Sequence, residues 1–287
     1  MTLTTPPPSA VVAAGDPLRT AVAHQRRPGR PEAGRQPGHQ ASATLALESV
    51  GGRSRVTTLR NDPPFTFRPT PDGPFPGGVV WVGTAAGPVG GDELRLRVNV
   101  GPEAELRLTS VAASLVLPGP RGDTSATTTT VTVANGARLW WLPEPTIVAA
   151  EADHRADTTV RLGDGVELVW VEEVVLGRHG ETAGRLRSRL RIEGRAGVPL
   201  LCSGLDTGRP GWDGPAGLAG CRAVAQVVLL GPPADRMLAA GTPLVVDDRA
   251  RLALSPLAGG GAVAAVAGPS TLAVRRAVAC LVERAAG

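Results

Sequence analysis

Lysine and tyrosine are absent from this chain, and aromatic residues of every kind make up only 3% of it. Without lysine there is no G-x-x-x-x-G-K-[ST] loop, which excludes a P-loop nucleotidase. With three Phe and five Trp there are too few rings to interleave with a basic stripe, and no concentrated stripe exists. The 30 basic residues, all Arg, face 26 acids for a formal charge of +4, of which +3 falls on residues 1–40. The pI near 10 overstates the surface charge because arginine stays protonated at any physiological pH. A nucleic-acid partner is therefore not expected. No uncharged apolar run approaches 18 residues, so no membrane span is expected either. The N-terminus lacks the basic and apolar regions of a signal peptide, and a cytoplasmic location is expected.

Catalytic signatures are missing as well. There is no G-x-S-x-G and no H-E-x-x-H. Cys202, Cys221 and Cys280 are far apart in sequence with no C-x-x-C pair, which argues against structural zinc; they read as isolated small buried residues in a reducing compartment. Of the four His, His24 and His39 fall in residues 1–40, while His154, between Asp153 and Arg155, and His179 read as solvated residues. Gly87-Pro88-Val89-Gly90-Gly91-Asp92 leads into a strand, so no helix dipole would meet a phosphate there.

At 42% hydrophobic over 287 residues, the chain is long enough to bury a substantial core. Residues 1–40, rich in Pro, Gly, Arg and Gln, read as a disordered tail, and residues 41–287 as one domain. From Ala43 onward, short alternating segments are separated by Gly, Pro and Asp. In Leu94-Arg95-Leu96-Arg97-Val98-Asn99-Val100 the alternation puts Leu94, Leu96, Val98 and Val100 on one buried face. Strands are also expected at 44–50, 53–59, 79–82, 104–109, 127–133, 158–162, 166–176 and 186–192. The turns at Gly101, Asn135 and Gly163 lie at a loose repeat of 34 and 28 residues, which suggests stacked β layers. Near the C-terminus, Pro232–Ala240 is expected to be a short helix stopped by Gly241. Leu272–Arg284 is expected to form a second, capped by Pro269-Ser270-Thr271.

The sequence is most informative between Leu139 and Glu181. That stretch opens Leu139-Trp140-Trp141-Leu142-Pro143-Glu144-Pro145 and closes Glu172-Glu173-Val174-Val175-Leu176-Gly177-Arg178-His179-Gly180-Glu181. Together with Gly90-Gly91-Asp92 and Leu108-Thr109-Ser110-Val111-Ala112-Ala113-Ser114, in that order, it resembles the UreD family of urease accessory proteins, called UreH in some lineages. The resemblance implies an elongated, right-handed β-helix-like body of stacked β-sheets with a few C-terminal α-helices. It implies a non-enzymatic scaffold that links apo-urease to UreF-type and UreG-type accessory proteins and conducts nickel inside the body. No tightly bound cofactor is implied, only transient Ni2+, with Asp92, Ser114 and Glu172 at matching passage positions. Each has a plainer role to hand: a turn cap, a buried hydroxyl and a paired strand-end acid. Arg178 and Glu181 read as a turn brace. The apolar stripe of the last helix, around Leu272 and Leu281, suits docking of a UreF-type partner or packing on the chain's own sheet. The family's carboxylate after Pro-Leu-Leu is replaced here, since Pro199-Leu200-Leu201 leads to Cys202-Ser203 with Asp206 next in reach. Two other classes fit the bare pattern. Paired Trp on an all-β body could mark a carbohydrate-binding module, and Asp92 with Glu172 could be the acid and base of a hydrolase.

Overall fold

The computed structural model describes residues 38–70, 77–241 and 250–287. Most of the expected tail, residues 1–37, lies outside the described residues. Its last three residues belong to the body, where Gln40 opens the first strand and the His39 amide is tied to Asp92.

The strands, in chain order, are β1 (Gln40–Val50), β2 (Arg53–Arg60), β3 (Phe65–Pro69), β4 (Gly78–Gly83), β5 (Glu93–Val100), β6 (Glu105–Ser110), β7 (Ser114–Val116), β8 (Ser125–Val133), β9 (Arg138–Leu142), β10 (Thr146–Val148), β11 (Asp153–Leu162), β12 (Glu167–Leu176), β13 (Arg185–Glu193), β14 (Pro199–Asp206), β15 (Ala223–Leu230), β16 (Arg251–Pro256) and β17 (Ala262–Gly268). The helices are α1 (Pro232–Ala239) and α2 (Thr271–Ala286). Among the described residues these strands form a seven-stranded sheet, ordered β14-β13-β11-β8-β5-β1-β2, and a ten-stranded sheet whose main path runs β16-β17-β15-β12-β9-β6-β4-β3.

The middle of each sheet is parallel and in register. In the first sheet β1, β5, β8, β11 and β13 stack side by side, and in the second β4, β6, β9 and β12 do so. The chain therefore coils as a β-solenoid. A coil runs along a first-sheet strand, turns a corner, runs along a second-sheet strand and returns. Antiparallel strands cap the stack: β2 and β14 on the first sheet, β3 and the β15-β17-β16 set on the second.

Three corners share one design. They are Gly101-Pro102-Glu103-Ala104, Ala134-Asn135-Gly136-Ala137 and Gly163-Asp164-Gly165-Val166, and each has positive φ at its third residue (54°, 67° and 66°). They are bonded into a column, because the Glu103 amide donates to the Asn135 carbonyl at 3.1 Å and the Gly136 amide to the Asp164 carbonyl at 2.9 Å. The Asn135 side chain accepts from the Asp164 amide at 2.9 Å. The loose repeat visible in the sequence is this column.

The main core lies between the sheets. At the corner end the inner face is aliphatic, with Val98, Val100, Val131, Val133, Val160 and Ile192 all buried. A second apolar layer covers the outer face of the second sheet, where α1 and α2 pack on β12, β15 and β17 through Met237, Val274, Ala277, Val278, Leu281 and Ala285. Ser270 caps α2 as expected, its hydroxyl accepting the Ala273 amide at 3.3 Å. The paired tryptophans serve both layers, because neighbours on a strand face opposite ways. Trp141 points inward and stacks on Trp170 at 4.6 Å, while Trp140 points outward under the Arg107 guanidinium.

Eight strands, β3, β7, β9, β10 and β14 to β17, have no counterpart among the strand ranges expected from sequence. β15 shows why. Ala223-Val224-Ala225-Gln226-Val227-Val228-Leu229-Leu230 carries little polar alternation, since one face meets the inter-sheet space and the other the helices.

Candidate functional site

The inner face of the first sheet changes character along each coil. At the corner end it presents Val and Leu, and at the return end it presents Ser125, Thr127 and Thr129 on β8, His154, Ala156 and Thr158 on β11, and Ser188 on β13. These shorter side chains do not fill the space between the sheets. A cavity of about 380 Å3 opens there, bounded by Thr127, Thr158, His154 and Ser188 on one side and by Trp81, Trp141, Trp170 and Glu172 on the other. The loops at Ala85–Pro88 and Val111–Leu117, which include Ser114, close its return end. A second cavity of about 390 Å3 lies between β13–β14 and β12, β15, β17 and β16. Glu172, Val174 and Ser188 line both.

Glu172 is placed by strand alternation, since Leu168, Trp170, Glu172 and Val174 all point inward from β12. Burial pushes its carboxyl up to about 7. The Trp170 indole pulls the other way, although its N–H is not within hydrogen-bonding geometry of any acceptor among the described residues. Opposite Glu172 in the β12–β15 ladder stands Gln226. The Gln226 Nε2, the Trp170 Nε1 and the Glu173 Oε2 are buried without hydrogen-bond partners among the described residues, so the walls carry polar groups that those residues do not satisfy.

The first cavity reaches the outer face of the second sheet through a break in the ladder. β12 pairs with β9 over Glu167–Trp170 and with β10 over Val174–Leu176, and neither pairing includes Val171, Glu172 or Glu173. Glu173 lies at this break beside Glu144, whose carboxylate is held by both terminal nitrogens of Arg275 from α2. Burial raises the Glu173 carboxyl to about 7, with Arg275 lowering and Glu144 raising it. The hydrogen bond from Arg275 holds Glu144 below the ordinary carboxylate range.

Of the residues singled out by sequence, the structure brings Ser114 and Glu172 to one cavity and leaves Asp92 outside its lining. Asp92 is buried, and its two oxygens accept backbone amides, Oδ1 from His39 at 2.9 Å and Oδ2 from Val89 at 2.8 Å. Gly90 packs against Gly119 so closely that a Cβ would sit 2.4 Å from its nitrogen, and Gly91 has φ +96°. The Gly-Gly-Asp motif is thus the hinge of the loop that walls the cavity. Asp206, the nearest carboxylate after Pro-Leu-Leu, turns to the Gly208 amide and Arg209, and Ser203 lines the second cavity in its place. Arg178 and Glu181 do form a brace, with Nε–Oε1 2.7 Å, and the Glu181 carboxylate also accepts the Ala150 and Arg178 amides. Leu281 is fully buried against the second sheet, so the stripe on α2 is largely core. Leu272 is 59% exposed.

Two expectations are corrected. His154 is 3% exposed, not solvated, because even spacing from Val160 along β11 turns it inward. Alternation was the signal that could have found it, obscured by the charged neighbours Asp153 and Arg155. Nor are the cysteines buried: Cys202 is exposed and Cys221 and Cys280 are partly so.

Fold and cavity together define a β-solenoid with an internal hollow whose largely apolar walls carry hydroxyls, an imidazole and carboxyl groups, flanked by helices on one sheet. A family model described as UreD urease accessory protein matches residues 39–287. Among curated relatives, urease accessory protein UreD of Streptomyces coelicolor is 39% identical over 251 residues, covering 83% of this chain and 94% of that protein. Urease accessory protein UreD 1 of Saccharopolyspora erythraea is 37% identical over 84% of this chain and 93% of its own length. The UreD of Frankia alni is 34% identical over 89% and 96%. The chain belongs to the UreD family of urease accessory proteins.

Proposed function

We propose that this chain is a non-catalytic maturation scaffold that joins apo-urease to UreF-type and UreG-type accessory proteins in the cytoplasm and gives Ni2+ a path through its interior to the urease active site. The observation that supports it most is the pair of inter-sheet cavities meeting at Glu172 and Ser188. A cation in transit must exchange part of its water shell for protein groups and then leave. Glu172, Ser114 and the hydroxyls of Thr127 and Thr158 offer oxygens without the closed ligand cage that would trap the ion. Among the described residues no group of three or more His, Cys, Asp or Glu is placed to hold a metal. Asp92 contributes indirectly, by holding the wall loop. On α2, the exposed Leu272 is the residue of the stripe open to a UreF-type partner.

Neither alternative class gains support. A sugar platform needs exposed rings, and Trp140 and Trp141 are 8% and 6% exposed. An acid–base pair needs both groups at one site, and Asp92 is outside the cavity that Glu172 lines.

Two quantities from one preparation test the reading: recovery of the complex with the UreF-type partner, and nickel content of the urease it activates. Glu172→Ala is expected to lower nickel content with complex recovery unchanged. Asp92→Ala is expected to lower both, because two partly buried amides lose their acceptors, at a cost of about 0.5–1.5 kcal/mol each. Leu272→Arg is expected to lower recovery of the complex without unfolding the chain. A Glu172→Ala variant that loses complex and nickel in proportion overturns the passage role.

A further inference from the structure

His154 is buried, yet among the described residues only one of its ring nitrogens has a hydrogen-bond partner. Nδ1 lies 2.8 Å from the Ser125 hydroxyl, which is itself 3.4 Å from the Asp153 carbonyl. If the hydroxyl proton goes to that carbonyl, its oxygen accepts from Nδ1–H, which leaves Nε2 as the unprotonated nitrogen. Among the described residues Nε2 has no hydrogen-bond partner, and it is not sealed off by the surrounding atoms. His154 lines the first cavity, so Nε2 opens into it. Burial depresses the imidazole to about 4, and the ring is neutral throughout the physiological range.

A lone pair held in place by a hydrogen bond on the far ring nitrogen is the arrangement that metal-binding histidines use. The surrounding groups define the ligand class. On the same face stand Thr127, two residues beyond Ser125 on β8, and Thr158, four beyond His154 on β11. Ser188 is on β13, and Glu172 is on the facing sheet. Oxygen donors alone favour Mg2+ and Ca2+, which are hard cations. A neutral imidazole reverses that order in favour of the late first-row transition ions.

We propose that His154 Nε2 is an inner-sphere donor to a late first-row divalent ion in the first cavity, and that this single nitrogen makes the cavity prefer such ions over Mg2+. Water fills the remaining coordination positions, hydrogen-bonded by the threonine and serine hydroxyls, which keeps binding weak and exchange fast. The purpose of the site rests on the nickel-path reading, whereas its existence does not.

The full chain carrying His24→Gln, His39→Gln and His179→Gln leaves His154 as the sole imidazole. In 15N-histidine-labelled protein, substoichiometric Ni2+ is expected to broaden the His154 ring signals, and a 100-fold excess of Mg2+ to neither shift them nor restore them. Calorimetric titration with Ni2+ is expected to weaken at least tenfold in His154→Gln, and about threefold to tenfold in Ser125→Ala, which keeps the imidazole but frees its far nitrogen. Unmoved ring signals, or displacement of Ni2+ by equimolar Mg2+, overturn the proposal, and the labelled-protein experiment decides it even if His154→Gln does not fold. Urease activation separates this inference from the reading beneath it. Loss of nickel transfer in Glu172→Ala with no Ni2+ effect on His154 leaves the path standing and removes this site. Ni2+ binding at His154 with normal urease nickel content in both the Glu172→Ala and His154→Gln strains leaves the site and removes the path. With both standing, His154→Gln is expected to deliver nickel normally in Mg2+-free medium and poorly at millimolar Mg2+.

Discussion

Glu103 holds a backbone conformation that its two structural equivalents assign to glycine. Gly136 and Gly165 occupy the same corner position, and at Glu103 the φ of 54° places a Cβ where L-residues are disfavoured by about 1–2 kcal/mol. Glycine also loses more chain entropy on folding, which offsets part of the gain. Glu103→Gly is therefore expected to stabilise the protein by roughly 0.5–1 kcal/mol, read from the urea midpoint at constant slope. The sequence disclosed the three corners but not this strain, because Gly-Pro-Glu-Ala reads as an ordinary turn until it is superposed on the other two. Glu172 has the opposite legibility. Its chemistry could be named from sequence, but its environment comes from a distant strand, β15, that alternation did not reveal. Its folded pKa, near 7, lies above the ordinary 4.5, so the folded state binds the extra proton between those values. Stability from this group is then complete below pH 4.5 and falls as pH rises through 7, by about 1.4 kcal/mol per unit at most. Glu172→Gln is expected to lose that slope, so that its stability relative to the parent chain rises between pH 5 and 8. A difference that does not change with pH would show that the carboxyl is hydrated and ordinary.

Helix α2 is tied to the sheet it covers by packing and by the Arg275–Glu144 ion pair, and these are separable. Leu281, Val278 and Val274 belong to the core, whereas Arg275 reaches past them to Glu144 at the gap between β9 and β10. Both partners of the pair are partly exposed, and as an isolated bond it is worth no more than about 1 kcal/mol. Arg275 also offsets the buried Glu173. Removing Arg275 leaves two carboxylates side by side, whereas removing Glu144 leaves Arg275 free to serve Glu173. Arg275→Ala is accordingly expected to destabilise more than Glu144→Ala, and by more at pH 8 than at pH 6, because Glu173 ionises across that interval. Thermal melts of both variants at the two pH values read this directly. The helix itself was plain in the sequence from its cap and spacing. Its burial was not, since an Ala- and Val-rich stripe suits a partner's groove and the chain's own sheet alike, and only the position of β15 and β17 decides between them.

At the scale of the molecule, the alternating strands and the recurring turns were legible, and the pairing of the strands was not. Periodicity of two assigns a residue to a face, but a parallel stack in which β5 neighbours β1 and β8 is fixed by contacts distant in sequence, and the family resemblance supplied it. The parallel interior and antiparallel caps also set where the body opens first. Amides of β8 and β11, with bonded neighbours on both sides, are expected to exchange slowest with deuterium. Those of the edge strands β2 and β16 are expected to exchange earliest. Uniform protection across both sheets would contradict this order.

The gradation of each coil, aliphatic at its corner and hydroxyl-bearing at its return, sets two selective pressures against each other. Replacing Thr127, Thr158 or Ser188 by Val or Leu would bury more apolar volume, and natural proteins drift toward such gains when nothing opposes them. If the proposed passage is what opposes them, the open return half is held only for as long as an ion must travel through it. In descendants of this gene that have lost their urease, these positions should turn aliphatic before the corners or the Gly-Gly-Asp hinge change, and the solenoid should persist as a solid body after its errand has ended.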